Sequence, residues 1–172
     1  MRGPWTREAV LALPEDSHHR VELVGGALMM SPRAGVPHRR ACKRLAALLA
    51  GAAAAAGAPV EVLEAVNVVV PDGLLIPDIA VVDAEAAASA GLTVDTHDVL
   101  VVIEIASAMK PALCAAAGIP HYWRLELEPA PRLYLGHLER GTYTDRLVQA
   151  GETTRLERPF PLDFDPARLV RR

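Results

Sequence analysis

Leu100-Val101-Val102-Ile103-Glu104-Ile105-Ala106 carries aliphatic side chains at both odd and even positions, interrupted by a single carboxylate. A strand with one wet face alternates, whereas one that is apolar on both faces belongs in the middle of a sheet covered on both sides. Ile76-Pro77-Asp78-Ile79-Ala80-Val81-Val82 reads the same way. Strands are expected over Pro77–Val82 and Val99–Ile105. Paired as a long hairpin, they would set the start of the first beside the end of the second, so that Asp78 and Glu104 share one end of the sheet. A buried carboxylate without a partner is costly, so both acids need a cation or donors nearby. Two converging carboxylates plus a main-chain carbonyl, such as that of Ile105, make an oxygen-rich site suited to Mg²⁺.

Outward from this pair, Thr6 to Leu13 predicts a short helix with Thr6 as N-cap and Pro14 as stop. Arg20–Val24 and Ala27–Met30 flank Gly25-Gly26 as a hairpin closed by Ser31-Pro32. Cys42, Leu45, Leu48 and Leu49 recur at helical spacing inside a helix expected from about Val36 to Ala56, ended by Gly57 and Pro59. Pro59–Leu63 and Ala65–Val70 read as strands before a Pro71-Asp72-Gly73 turn. The alanine-rich, acidic stretch Asp83–Asp98 reads as a surface helix or loop. Lys110–Ala117 predicts a short helix ended by Gly118, and Tyr122–Leu127, Arg132–Leu138 and Thr142–Gln149 predict a meander before Pro159-Phe160-Pro161. This order indicates one α/β sandwich with a mixed sheet, occupying 1–172 as a single domain.

Composition narrows the function classes. The chain has 172 residues, 51% hydrophobic and 23% charged, enough for a core without disulfide or metal staples. No apolar run approaches the ~20 residues of a membrane span, and the N-terminus lacks the apolar region of a signal peptide. Two cysteines, Cys42 and Cys114, are too few for a disulfide scaffold or zinc cluster, which makes a reducing cytoplasm the expected compartment. A net charge of -3 excludes a wholly basic nucleic-acid coat but allows a local patch. Arginines are common here and carry little information singly. Only Lys43 and Lys110 are lysines, so each carries more.

Beyond Asp78 and Glu104, three features are candidates. Glu22 interrupts a hairpin strand, either on its solvent face or as a third acid of the site. His38 lies in line with Cys42, Leu45 and Leu49, either fitted onto the core-facing stripe or aimed at the acidic end of the sheet. Arg33, Arg39, Arg40, Lys43 and Arg44 cluster with no acid between Ser31 and Val60. They open a helix whose N-terminus already favours anions, so phosphate binding is expected there.

The succession Val21-Glu22-Leu23-Val24-Gly25-Gly26, Ser31-Pro32, His38, Pro77-Asp78-Ile79-Ala80-Val81-Val82, Val102-Ile103-Glu104-Ile105-Ala106-Ser107 and Ala117-Gly118-Ile119-Pro120-His121-Tyr122-Trp123 resembles the putative restriction endonuclease domain family of the PD-(D/E)XK nuclease superfamily. The resemblance runs from about Thr6 to Leu169. It implies a restriction-endonuclease-like core, a Mg²⁺-dependent phosphodiesterase site, nucleic acid (DNA first) as substrate and a homodimer. By motif, Asp78 is the acid of the PD element, Glu104 the acid of the second element, and Glu22 the acid from the first part of the fold. The superfamily's lysine normally stands two residues after the second acid, where this chain has Ala106. Counting back from Ala117-Gly118-Ile119-Pro120, the lysine is Lys110, and the segment between Glu104 and it is shorter than usual by roughly two helical turns.

Two functions are therefore open. In one, Glu22, Asp78, Glu104 and the Ile105 carbonyl hold Mg²⁺ or Mn²⁺, Lys110 orients water or stabilises charge on phosphate, and His38 assists, while Arg33, Arg39, Arg40 and Lys43 grip the backbone of the nucleic acid. In the other, the shortened segment leaves a degenerate nuclease fold that binds nucleic acid or a protein. The reading turns on Lys110. Either it reaches back from the first turn of its helix to the two acids, or it faces solvent.

Overall fold

A computed structural model describes residues 4–14, 18–32, 34–106 and 110–170. Helix α1 (Arg7–Leu11) is capped by Thr6, whose hydroxyl accepts from the Ala9 amide at 3.2 Å. Strands β1 (His19–Val24) and β2 (Ala27–Pro32) form the expected hairpin, which turns on Gly25 and Gly26, both at positive φ. Helix α2 (Val36–Ala55) ends with Gly57 at φ +62, the Ala58 amide donating to Ala53 O and the Gly57 amide to Ala54 O. That pattern satisfies the last carbonyls of the helix, and glycine fits because the conformation is left-handed.

Strands β3 (Val60–Glu64), β4 (Asn67–Val70), β5 (Gly73–Leu75) and β6 (Ile79–Asp83) follow, then α3 (Ala84–Ser89), β7 (Thr93–Asp95) and β8 (Val99–Ile105). Helix α4 (Pro111–Ala116) precedes the meander β9 (His121–Glu126), β10 (Arg132–Glu139) and β11 (Thr142–Gln149). The tail is a ribbon of β12 (Thr154–Leu156) and β13 (Leu162–Phe164) followed by a 3₁₀ turn over Pro166–Leu169. Four three-residue strands, β5, β7, β12 and β13, are not legible in the sequence as strands, because segments so short carry no periodicity. The first strand of the decisive pair starts two residues later than expected, leaving Pro77 and Asp78 just outside β6.

The expected mixed sheet is present, with strand order β11-β10-β9-β8-β6-β3, and a second sheet has order β2-β1-β5-β4-β7. Strands β6 and β8 pair antiparallel with Ile79 opposite Ile103, as the hairpin reading requires. Strand β9 runs parallel to β8, reached through α4 as a crossover, and puts Arg124 beside Glu104. One face of the six-stranded sheet (Val81, Val101, Ile103, Trp123) packs on α2 and on Phe164 and Leu169 of the tail. The other (Ala80, Val82, Val102, Tyr122) packs on Val68 and Leu75 of the second sheet and on Cys114 of α4. Coverage on both faces is why these strands lack alternation.

Candidate active site

Among the described residues, four of the five buried polar or charged ones stand together where the two sheets and α4 meet: Glu22, Asp78, Glu104 and Lys110, none more than 5% exposed. Strand β1 supplies the first. Arg20 and Glu22 are two residues apart and so point the same way. Both close on Ile76, the residue that leads from β5 to Asp78: Arg20 Nη1 donates to Ile76 O at 2.9 Å, and the Ile76 amide donates to Glu22 Oε1 at 2.6 Å. Glu22 is thus an inward acid, because the neighbours of β1 cover the face that alternation alone would have left wet.

Asp78 is saturated with donors. Its Oδ1 lies 2.9 Å from Arg20 Nη1, and its Oδ2 accepts from the Ile105 amide at 2.8 Å and lies 3.0 Å from His38 Nε2. Burial pushes its carboxyl up, but His38, the Ile105 amide and Arg20 together outweigh burial and hold it below the ordinary value. Ile105 engages the site here through its N–H. Glu104 is differently placed. Burial, joined by the charges of Asp78 and Glu22, raises it to about 7 against the pull of Lys110.

Lys110 reaches back to the acids rather than facing solvent, and of the expected pair it meets Glu104, with Glu22 in the place expected for Asp78. Its Nζ lies 2.7 Å from Glu22 Oε1 and 2.9 Å from Glu104 Oε1, with the side chain 7% exposed. Desolvation works against its charge, yet the two glutamates prevail and raise its pKa. It occupies the N-cap position of α4, one residue before the expected first turn, with Pro111 opening the helix. Ala106, where the superfamily's lysine would stand, has φ +58 and is exposed. A side chain there leaves the phase of β8, so the strand end offers no lysine position directed with Glu104. The connecting residues 107–109 lie outside the described residues.

The sequence-predicted residues divide as follows. Glu22, Asp78, Glu104, Lys110 and His38 come together. Arg39, Arg40 and Lys43 are exposed on α2, outside this cluster, and Arg44 donates to Leu169 O at the tail. Arg33 lies outside the described residues. Arg20 was missed, although its two-residue spacing from Glu22 was a signal; in an arginine-rich chain it carried too little weight. Arg124 was missed as well, since only the β8/β9 register sets it beside Glu104.

The donor set is chemically suited to a hard divalent cation: carboxylate oxygens, with three acids facing the permanent cations Arg20 and Lys110. The contacts among the described residues run through Oε1 of Glu22 and of Glu104. Also among the described residues, no three His, Cys, Asp or Glu side chains stand as a ready-made ligand group. The ammonium of Lys110 lies between the two glutamates, so an added cation competes with it for their charge.

The chain matches the Uma2 family, described as "Putative restriction endonuclease", over residues 7–169. It also resembles the crystal structure of a putative nuclease belonging to DUF820 from Anabaena variabilis ATCC 29413. The TM-score is 0.76 at 14% identity, covering 97% of this chain and 98% of the other, a likeness of fold. No curated protein matches the sequence.

Proposed function

The chain belongs to the Uma2 family, described as "Putative restriction endonuclease", and from that premise we propose that it is an endonuclease hydrolysing phosphodiester bonds of nucleic acid, DNA first, with Mg²⁺ or Mn²⁺ as cofactor. The observation that carries this reading is the buried ammonium of Lys110 bridging Glu22 and Glu104 at the sheet end where Asp78 also sits. Asp78, Glu104 and Glu22 would hold the metal, with the Ile105 carbonyl as a further oxygen. When bound, it supplies Lewis-acid polarisation of the phosphoryl group and a water of lowered pKa.

The protein's own groups would do the rest. Lys110, kept charged by its neighbours, would stabilise negative charge building on phosphate. Arginine would bring charge without the compact, mobile donor. His38 and Arg20 fix the orientation of Asp78 through both of its oxygens. Arg39, Arg40 and Lys43, with Arg33 before them, would grip phosphates remote from the scissile bond, which makes binding strongly salt-dependent. The exposed edge of β11, where Leu147 is 44% exposed, supports a homodimer, and two free buried cysteines fit a cytoplasmic setting. No helix among the described residues is long and apolar enough to cross a membrane.

The test is hydrolysis of supercoiled plasmid and oligonucleotides with Mg²⁺ or Mn²⁺, comparing wild type with Glu104→Gln. Cleavage by wild type and its loss in the variant are expected. Folded wild-type protein that cuts nothing across a broad substrate panel would overturn the reading. One observation favours the second function, a degenerate module: protein donors already engage both oxygens of Asp78. A metal-dependent rise in melting temperature separates the two, because a cation held only by the folded state must stabilise it.

A further inference from the structure

The chain has three tyrosines, two tryptophans and two phenylalanines, and all three tyrosines line one pocket of about 540 Å³. It lies between α4 and strands β9 to β11. We propose that this pocket takes a single unpaired base of the nucleic acid, next to the phosphate that faces the carboxylates and Lys110. The substrate would then be single-stranded or locally unpaired. The inference rests on the nuclease reading and narrows its substrate.

Position is the first argument. Pro111, a lining residue, directly follows Lys110, and Arg124, another, is the register partner of Glu104. A nucleotide with its phosphate at the acids has a neighbouring base within reach of the pocket. Shape and surface are the second. The volume falls in the range of small-molecule sites. Its lining carries two π contacts: the Arg124 guanidinium lies 3.9 Å over the Tyr134 ring, and the Tyr122 and Tyr143 rings are 5.5 Å apart. Unstacked bases are held on such aromatic and guanidinium planes.

Charge is the third argument, and it excludes a phosphate as the occupant. Arg124 is already paired with Glu126, so it presents a stacking face rather than a free cation. Asp145 on the lining repels phosphate but accepts hydrogen bonds from the amino groups of bases.

Binding is read by fluorescence anisotropy in metal-free buffer, where nothing is cut. The probes are a short single-stranded oligonucleotide and an abasic strand of equal length. Wild type is expected to bind the strand with bases about tenfold tighter or more, the scale of one base–aromatic stack. Tyr134→Leu should reduce that preference to within about twofold. So should Ala112→Leu, which fills the pocket from an exposed helix position outside the core. Variants that keep the wild-type preference, or a wild type indifferent to bases, would overturn the pocket, while cleavage with Mg²⁺ would show the nuclease reading intact. A folded wild type that neither binds nor cuts either strand would sink both.

Discussion

Glu104 is held with its carboxyl at about 7 against an ordinary 4.5, so between those values the folded protein binds a proton that the unfolded chain releases. The contribution to stability is therefore fully present below the unfolded value and is lost as pH rises through the folded one, roughly 3 kcal/mol in all. Asp78 has the opposite sign. Held below its ordinary value of 3.8, it adds stability above that value, lost as pH falls through the folded one. The metal-free protein should thus melt highest in mild acid and lose melting temperature from pH 5 to 7.5. Glu104→Gln should lose this decline and melt no lower than wild type at pH 7.5, since Lys110 keeps Glu22. A flat wild-type profile would remove the assignment. Lys110→Met leaves two buried acids without their cation and should cost about 3–5 kcal/mol at pH 7.5, less at pH 5, by urea unfolding.

The end of β8 explains why the lysine comes from the next helix. Ala106 at φ +58 breaks the strand, and a non-glycine residue there already costs about 1–2 kcal/mol. A lysine at 106 would leave the direction of Glu104, so Ala106→Lys with Lys110→Met should stay inactive in the cleavage assay; restored cleavage would show that the strand end can present the group after all. Strand β5 is the other element on which the site depends, because it delivers Ile76 to the Arg20–Glu22 clamp. A Cβ on Gly73 would come within 2.0 Å of Leu23 O in β1. Gly73→Ala should therefore cost about 3 kcal/mol or more and weaken the proposed metal binding with it. Gly91→Ala, with nothing within 4 Å, should stay within about 0.5 kcal/mol. Equal urea midpoints for the two variants would contradict that geometry.

Across the whole molecule, the six-stranded sheet depends on covers from distant parts of the chain. Leu169 is 0% and Phe164 1% exposed, both packed in the core that α2 shares with the sheet. Each such side chain contributes about 1.5–3 kcal/mol by burial, against a typical total of about 5–15 kcal/mol. Truncation after Pro161 removes Leu162, Phe164 and Leu169 together and should abolish cooperative thermal unfolding, read by circular dichroism. A sharp transition in the truncated chain would show that the tail is only an appendage.

The sequence alone determined the elements with strong local signals and the acids that interrupt them. The two-faced strands, the glycine-ended helices and the Gly-Gly hairpin each follow from side-chain period or backbone freedom, which are local properties. Asp78 and Glu104 were legible because a carboxylate inside an apolar strand demands a partner wherever it lies. Tertiary structure alone decided who those partners are. Glu22 had two readings until β5 and the second sheet covered it, Lys110 had two until α4 packed back on β8, and Arg20 and Arg124 had no distinguishing mark until strand pairing placed them beside acids. Register and packing between segments tens of residues apart set those distances, and neither is written in the local pattern of a chain.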